Sequence, residues 1–445
     1  MTESTFIKPD YQTEDETKAG NYFVSNYPPF SFWNDEDVPC VSSLINSPSP
    51  GNAPLGVYYH VPFCRKRCHF CYFKVYTDKN SNDIRRYLSA TMEELKSYAD
   101  KPYFKGRKPK FVYFGGGTPS YLSAKQLIEL TDEMKKILPW DEAEEVTFEC
   151  EPGTLSEKKL EVIKQFGVTR LSLGVENFND HILQTNGRAH RSKEVFSAYE
   201  FARGLGFDNI NIDLIAGMLE ETDENWTECV ERVVDLSPDC VTIYQMEVPF
   251  NTGIFKTMKE EGKLSAPVAD WPTKRRWVSE AYAKLEEAGY TVTSAYTAVK
   301  NPDSTKFIYR DRLWAGADMV GVGVSSFGHL GGIHYQNLTN IDSYCDSVEA
   351  GKAPVRRALM TNEEERFIRE LILQWKLGRV NNNYFLKKFG ISISERYAPI
   401  LTQWKERGDL REEGDYLVLS RDALLRIDSM LQGFFLPDHR DARYV

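Results

Sequence analysis

Three of the chain's eight cysteines stand together in the run Tyr58-Tyr59-His60-Val61-Pro62-Phe63-Cys64-Arg65-Lys66-Arg67-Cys68-His69-Phe70-Cys71. Cys64, Cys68 and Cys71 have the spacing C-x3-C-x2-C. Three thiolates on one short loop can hold three irons of a [4Fe-4S] cube and leave the fourth without a protein ligand. An iron with an open position is a site for chemistry, as the open position of a catalytic zinc is. Arg65, Lys66 and Arg67 put positive charge between the cysteines, which is expected to lower the thiol pKa values toward the metal-binding thiolates. A partial zinc site is the competing use. No fourth ligand stands at a typical zinc spacing, and His69 lies between two cysteines, the wrong place for a zinc knuckle.

Such a loop needs a scaffold, and 445 residues suffice for a large catalytic domain and one smaller domain. The net charge of -10 argues against nucleic acid as a main partner, since phosphate binding needs a basic surface. No apolar run is long enough for a membrane helix. Met1-Thr2-Glu3-Ser4 is polar and acidic, unlike a secretory signal, so a cytoplasmic protein without disulfides is expected. The remaining cysteines, Cys40, Cys150, Cys229, Cys240 and Cys345, are scattered as small core residues are.

Residues 1–20 read as a disordered polar tail. Residues 21–54 open with an aromatic stretch, Asn21 to Trp33, that reads as a strap over the core or a lid over a ligand. From residue 55 strands alternate with helices. Strands are expected at Leu55–Val61, Phe111–Gly115, Val146–Glu149, Arg170–Gly174, Asn209–Ala216 and Val241–Met246. Helices are expected at Asn82–Ala99, Ser123–Leu138, from Ser156, at Asn179–Thr185, Ser192–Leu205 and Glu224–Leu236. That alternation implies a parallel sheet of the α/β class, here a partial (β/α)6 TIM-type barrel over 55–270. In such a barrel functional residues belong at the C-terminal ends of the strands. Residues 271–355 read as an extension covering the active site, with a helix at Trp271–Ala288 and a strand at Tyr290–Tyr296. Residues 356–445 read as a mainly helical, winged-helix-like C-terminal domain. Its helices are expected at Glu363–Leu377, Tyr384–Phe389, Ser394–Arg407 and Arg421–Leu431, with a β wing at Leu410–Leu419.

The cysteine spacing, after a strand ending His-Val-Pro-Phe, resembles the radical S-adenosylmethionine (SAM) superfamily. The wording of the loop resembles its oxygen-independent coproporphyrinogen III oxidase-like branch, and the likeness runs from about residue 21 to the C-terminal helices. The resemblance implies a [4Fe-4S] cluster on Cys64, Cys68 and Cys71 whose open iron chelates SAM. One electron, from a donor such as flavodoxin or ferredoxin, then yields methionine and a 5′-deoxyadenosyl radical. Gly115-Gly116-Gly117-Thr118-Pro119 after the second strand resembles the loop that binds the amino group of SAM, which points to Gly116, Gly117 and Thr118. An acid inside an apolar strand, as Asp213 is, needs a partner or ligand. By resemblance Glu149, Glu176, Arg188 and Asp213 are residues that hold two SAM molecules, with Arg188 on a SAM carboxylate. Tyr58 and Phe70 match further SAM contacts and Met246 a backbone or packing contact. Gly321–Gly328, including Phe327, resembles a segment that reaches back over the cofactor.

Two positions depart from the oxidases. Tyr72-Phe73-Lys74 follows Cys71 where the oxidases place another cysteine two residues on, and Glu176 replaces a neutral Gln. The branch also holds heme chaperones, heme-opening enzymes, and class C methyltransferases and cyclopropane-forming enzymes. With both SAM sites kept, the expectation is a class C-type enzyme that transfers a methyl or methylene group to an sp2 carbon of an aromatic or tetrapyrrole-like small molecule. The alternatives are oxygen-independent porphyrinogen decarboxylation, and heme binding with His329 and His334 as possible axial ligands.

Overall fold

The computed structural model describes residues 15–18, 20, 23–51, 53–263, 265–440 and 442. Six parallel strands run in chain order across the sheet: β1 (Leu55–Val61), β2 (Pro109–Gly116), β3 (Glu145–Cys150), β4 (Arg170–Glu176), β5 (Asn209–Ala216) and β6 (Cys240–Gln245). The expected alternation holds because alternate residues serve two environments. Val57, Tyr59, Val112, Phe114, Val146, Phe148, Leu171, Leu173, Ile210, Ile212, Val241 and Ile243 belong to one buried apolar core. Their neighbours along each strand, among them Tyr113, Glu149, Ser172, Asn211, Asp213 and Thr242, line a cavity.

The intervening helices start where their caps dictate. Asn80 and Ser123 form capping boxes with Asp83 and Gln126, opening Ser81–Ala99 and Ala124–Ile137. Ser156, Asn179 and Thr222 cap the helices that follow.

Beyond residue 270 the expectations need correction. Tyr290–Tyr296 is not one strand. The chain turns at Ser294, making two short strands, β7 (Thr291–Val292) and β8 (Thr297–Val299); β8 pairs antiparallel with β6. A seventh parallel strand, β9 (Asp318–Val322), adds to β1 on the far edge. β10 (Phe327–Leu330), β11 (Ile333–Asn337) and β12 (Val355–Met360) continue that edge antiparallel. The parallel barrel is therefore open, bounded by antiparallel strands on both sides. Gly323 N–H donates to buried Glu94 at 2.8 Å, which ties the 321–328 segment to the helix behind β1. None of that segment lines the cavity.

The C-terminal residues make a second core around Phe367, Leu371, Trp375, Trp404 and Phe434. Its helices pack with a three-stranded antiparallel sheet of β13 (Arg379–Asn381), β14 (Leu410–Glu413) and β15 (Tyr416–Leu419). The helix expected at Ser394–Arg407 divides at Tyr397, where Pro399 starts a new one, Ala398–Glu406. The one expected at Arg421–Leu431 divides at Arg426.

The described part of the aromatic N-terminal stretch packs against the C-terminal residues. Tyr27 is fully buried, accepting from Leu436 N–H at 3.0 Å and meeting His439 Nδ1 at 2.7 Å. Val24 N–H donates to Asp428 at 2.9 Å, and its carbonyl accepts from Lys376. Among its described residues Phe23 lines the cavity. Of the polar tail, residues 1–14 and 19 lie outside the described residues. Residues 15–18 and 20 are ordered: Lys18 and Gly20 bridge to Ser265 and Val248, and Thr17 is buried beneath Lys274. Among the described residues no helix is long and apolar enough to cross a membrane.

Tyr27→Phe keeps the ring and leaves the Leu436 and His439 groups without their oxygen. The expected loss is about 1–2 kcal/mol, read by denaturant unfolding. An unchanged midpoint would contradict the docking of the strap.

Candidate active site

The cysteine loop is fastened at both ends and across its middle. Tyr76 N–H donates to Pro62 O at 2.8 Å and Cys64 N–H to Tyr76 O at 3.1 Å, closing it at the end of β1. His69 N–H donates to Asn186 O at 3.1 Å, and Ile254 N–H to His69 O at 3.1 Å. Arg67 reaches Cys71 O and Asn251 O at 3.1 and 3.0 Å. The loops after β4 and β6 therefore hold the loop after β1 in place.

Two of the sulfurs receive donors from residues singled out in the sequence. Thr118 Oγ1 donates to Cys64 Sγ at 3.3 Å, and Arg188 Nη1 to Cys68 Sγ at 3.4 Å. Gly117 is bare because a Cβ there would stand 3.0 Å from Cys64 Sγ. Gly116 has φ +116°, and a Cβ would meet His60 at 2.7 Å. Burial pushes the Cys64 thiol up to about 12 and the Cys71 thiol up to about 11, and Cys68 raises both further by its proximity. At these two thiols burial outweighs the basic triplet: Arg67 lowers Cys71 as expected, but by less than burial raises it. Arg65 turns away to Gly153 O, so desolvation outweighs charge.

Among the described residues no three His, Cys, Asp or Glu side chains converge to hold one metal ion. An iron–sulfur cube takes its thiolates on separate irons, so its ligands need not converge on one point. Three neighbouring thiols, two of them receiving donors, fit that cube.

Beside the thiols lies a cavity of about 850 Å³, lined by Phe70, Cys71, Gly117, Thr118, Glu149, Glu176, Arg188, Asp213 and Met246 among others. Glu149 accepts from Tyr113 Oη at 2.6 Å and Gly116 N–H at 3.2 Å. Asp213 accepts from Ser172 Oγ at 2.8 Å and Asn211 Nδ2 at 2.9 Å. Glu176 adopts φ +66°, unusual for a residue with a Cβ, and lies 3.5 Å from Arg188 Nη2. Arg188 also donates to Gly174 O, while its Nε is buried without a partner. Burial raises Glu149 and Glu176 to about 7, and Asp213 adds repulsion to each. Burial raises Asp213 as well. Met246 O accepts from Lys274 Nζ at 2.8 Å, and Phe70 packs beside the Met246 side chain.

Four residues singled out in the sequence sit differently. Tyr58 is set behind the wall, stacked on Tyr113 with centroids 5.7 Å apart. Phe327 does not line the cavity; its ring packs on Phe30 at 4.7 Å and Trp33 at 5.7 Å, because β10 faces the strap. His329 and His334 are not solvent-facing loop residues. They are a buried cross-strand pair with Nδ1 atoms 3.0 Å apart, and His334 Nε2 lies 3.0 Å from Tyr27 O. Desolvation lowers the pKa of both. Tyr113, Tyr244 and Arg275 line the cavity without having been singled out. The register offered a signal for Tyr113, which pairs with Tyr58 across β1 and β2.

An acid whose folded pKa is raised is stabilising when protonated. Its cost therefore appears as pH rises from the unfolded value near 4.5 to about 7. Glu149→Gln is expected to gain about 1–3 kcal/mol relative to the native protein at pH 8 and little at pH 4.5. A stability difference independent of pH would contradict a desolvated Glu149.

The sequence model of the Radical SAM superfamily matches residues 58–233. The heme chaperone HemW of Lactococcus lactis is 31% identical over 356 residues, covering 79% of this chain and 89% of the relative. The oxygen-independent coproporphyrinogen III oxidase of Salmonella typhimurium is 26% identical over 411 residues, covering 88% and 87%. In structure, the coproporphyrinogen III oxidase HemN of Escherichia coli superposes with a TM-score of 0.79 at 22% identity, over 94% of this chain and 99% of that one, and shares the fold. On this site, this fold and these relatives, the chain belongs to the radical SAM superfamily, in the branch of the heme chaperone HemW and the oxygen-independent coproporphyrinogen III oxidases.

Proposed function

We propose that the chain holds a [4Fe-4S] cluster on Cys64, Cys68 and Cys71, binds SAM in the adjoining cavity and acts on a carboxylate-bearing tetrapyrrole. The observation that carries this reading is the convergence of Glu149, Glu176, Asp213 and Arg188 on one buried cavity beside the three thiols. Buried acids that repel one another favour a cationic guest. SAM offers a sulfonium and an ammonium to the carboxylates, a carboxylate to Arg188, and a ribose diol to acceptors such as Glu149 or Asp213. The bare backbone at Gly116 and Gly117 suits close approach of the ammonium to carbonyl oxygens.

SAM held beside a cluster on Cys64, Cys68 and Cys71 would supply, on one-electron reduction by a donor such as flavodoxin or ferredoxin, the removal of one hydrogen atom from a substrate side chain. That substrate side chain would then lose carbon dioxide from its carboxylate and one electron to an external acceptor, leaving a vinyl group. The protein's part is enclosure. Strand residues and the C-terminal segment wall the cavity, and a reactive carbon radical needs such exclusion. Tyr72 and Phe73, 37% and 43% exposed, line it beside Cys71, where the oxidases have a cysteine at the second position.

Methyl transfer from a second SAM, the reading the sequence favours, draws no support from these relatives. Heme binding is the second reading, favoured by the 31% identical relative. His329 and His334 are sealed under the strap in the present packing, so an axial ligand would have to come from elsewhere.

Anaerobic reconstitution of the native protein is expected to give a [4Fe-4S] cluster that each of Cys64→Ala, Cys68→Ala and Cys71→Ala lowers at least tenfold. Native protein with reductant, SAM and coproporphyrinogen III is expected to form 5′-deoxyadenosine and carbon dioxide together. Methyl-labelled product would restore the transferase. A Soret band from added heme with no SAM cleavage would favour the chaperone.

A further inference from the structure

The cavity wall made by β6, the helix Trp271–Glu287 and residues 425–432 carries two guanidinium groups, Arg275 and Arg426. Arg426 directs one nitrogen to Asp409. Among the described residues Arg275 has neither an ion pair nor a hydrogen bond. Its Nε is buried without an acceptor, and its guanidinium stands 5.7 Å from the Trp271 ring centre. A notch on the other side of this wall is bordered by Glu280 and Asp422, and neither reaches Arg275; Glu280 pairs with Arg276. Burial and the charge of Arg426 both push Arg275 below the ordinary guanidinium range. On the same wall Gln245 donates to Leu425 O at 2.9 Å and leaves its Oε1 buried without a donor. Ser429 and Gln432 add a hydroxyl and an amide to the lining.

A guanidinium placed against a like charge, with no acceptor of its own, costs stability. Residues kept at such a cost are characteristic of binding sites. The planar fork of arginine matches the two oxygens of a carboxylate, and a pair of forks matches a doubly charged edge of a ligand.

We propose that Arg275 and Arg426 form the subsite that reads a side-chain carboxylate of the substrate, with Gln245, Ser429 and Gln432 around it. The proposal rests on the tetrapyrrole reading above and adds which wall orients the ring. The acids of β3, β4 and β5 receive the cationic cofactor, and the β6 and C-terminal wall receives the anionic edge of the substrate. A neutral ring of the same shape gains nothing from this wall.

The test is equilibrium binding of coproporphyrin III and of its tetramethyl ester to the cluster-reconstituted protein at fixed ionic strength, alongside thermal melting. Native protein is expected to bind the acid about tenfold or more tighter than the ester. Arg275→Gln is expected to lose that preference, keep its ester affinity, and melt at the native temperature or above it because repulsion from Arg426 is relieved. Should Arg275→Gln melt lower, Arg275→Lys carries the test. Retention of part of the acid preference supports the subsite, and its loss at native melting temperature overturns it. Equal binding of acid and ester by native protein overturns the subsite and leaves the tetrapyrrole reading standing. Binding of neither overturns both.

Discussion

The structure depends on the desolvation of charge inside an open parallel barrel. Glu149, Glu176 and Asp213 project from three successive strands into one cavity, and burial pushes each toward its neutral form. Arg188 offsets part of this from the loop after β4, reaching Glu176 on one side and Cys68 on the other. The remaining imbalance favours a cationic guest in the cavity. The polar ladder beneath it has few free groups: Thr242 donates to Asn211, and Asn211 donates to Ser172 and Asp213. A ladder satisfied in this way fixes side-chain direction, which a reacting site needs within fractions of an ångström.

Enclosure is built from segments far apart in sequence. The cysteine loop hangs from β1 but is pinned by loops after β4 and β6. The strap ties Val24 and Tyr27 to residues beyond 420, and it delivers Phe23 to the cavity. Lys376, fully buried, joins the C-terminal core to Asp428 at 2.7 Å and lies 4.0 Å from the centre of the Phe23 ring. Strap, C-terminal core and cavity wall thus share their contacts, so loosening one is expected to open the cavity through the others.

Much of this was legible before any coordinates. Cys64, Cys68 and Cys71 mark the loop by spacing, Gly116 and Gly117 by composition, and Asp213 by being an acid in an apolar strand. What was not legible depends on tertiary pairing. Asp318–Val322 became a seventh parallel strand because its edge meets Leu55–Tyr59, and no local pattern announces that partner. His329 and His334 looked like loop histidines until β10 and β11 paired and the strap covered them. The basic triplet suggested acidic thiols, but Arg65 left for Gly153 and burial decided the sign. Arg275 is one more helical arginine in the sequence, and only the position of Arg426, about 150 residues on, makes it unusual.

On the proposed reading, the iron left open by Cys64, Cys68 and Cys71 faces the cavity and takes SAM there. Electron paramagnetic resonance of the reduced, reconstituted protein tests it directly, using SAM labelled with 17O in its carboxylate. Adding SAM is expected to change the cluster signal and bring resolved 17O coupling, and Glu149→Gln or Arg188→Ala is expected to weaken the response. A reduced cluster whose spectrum is indifferent to SAM at saturating concentration would contradict it.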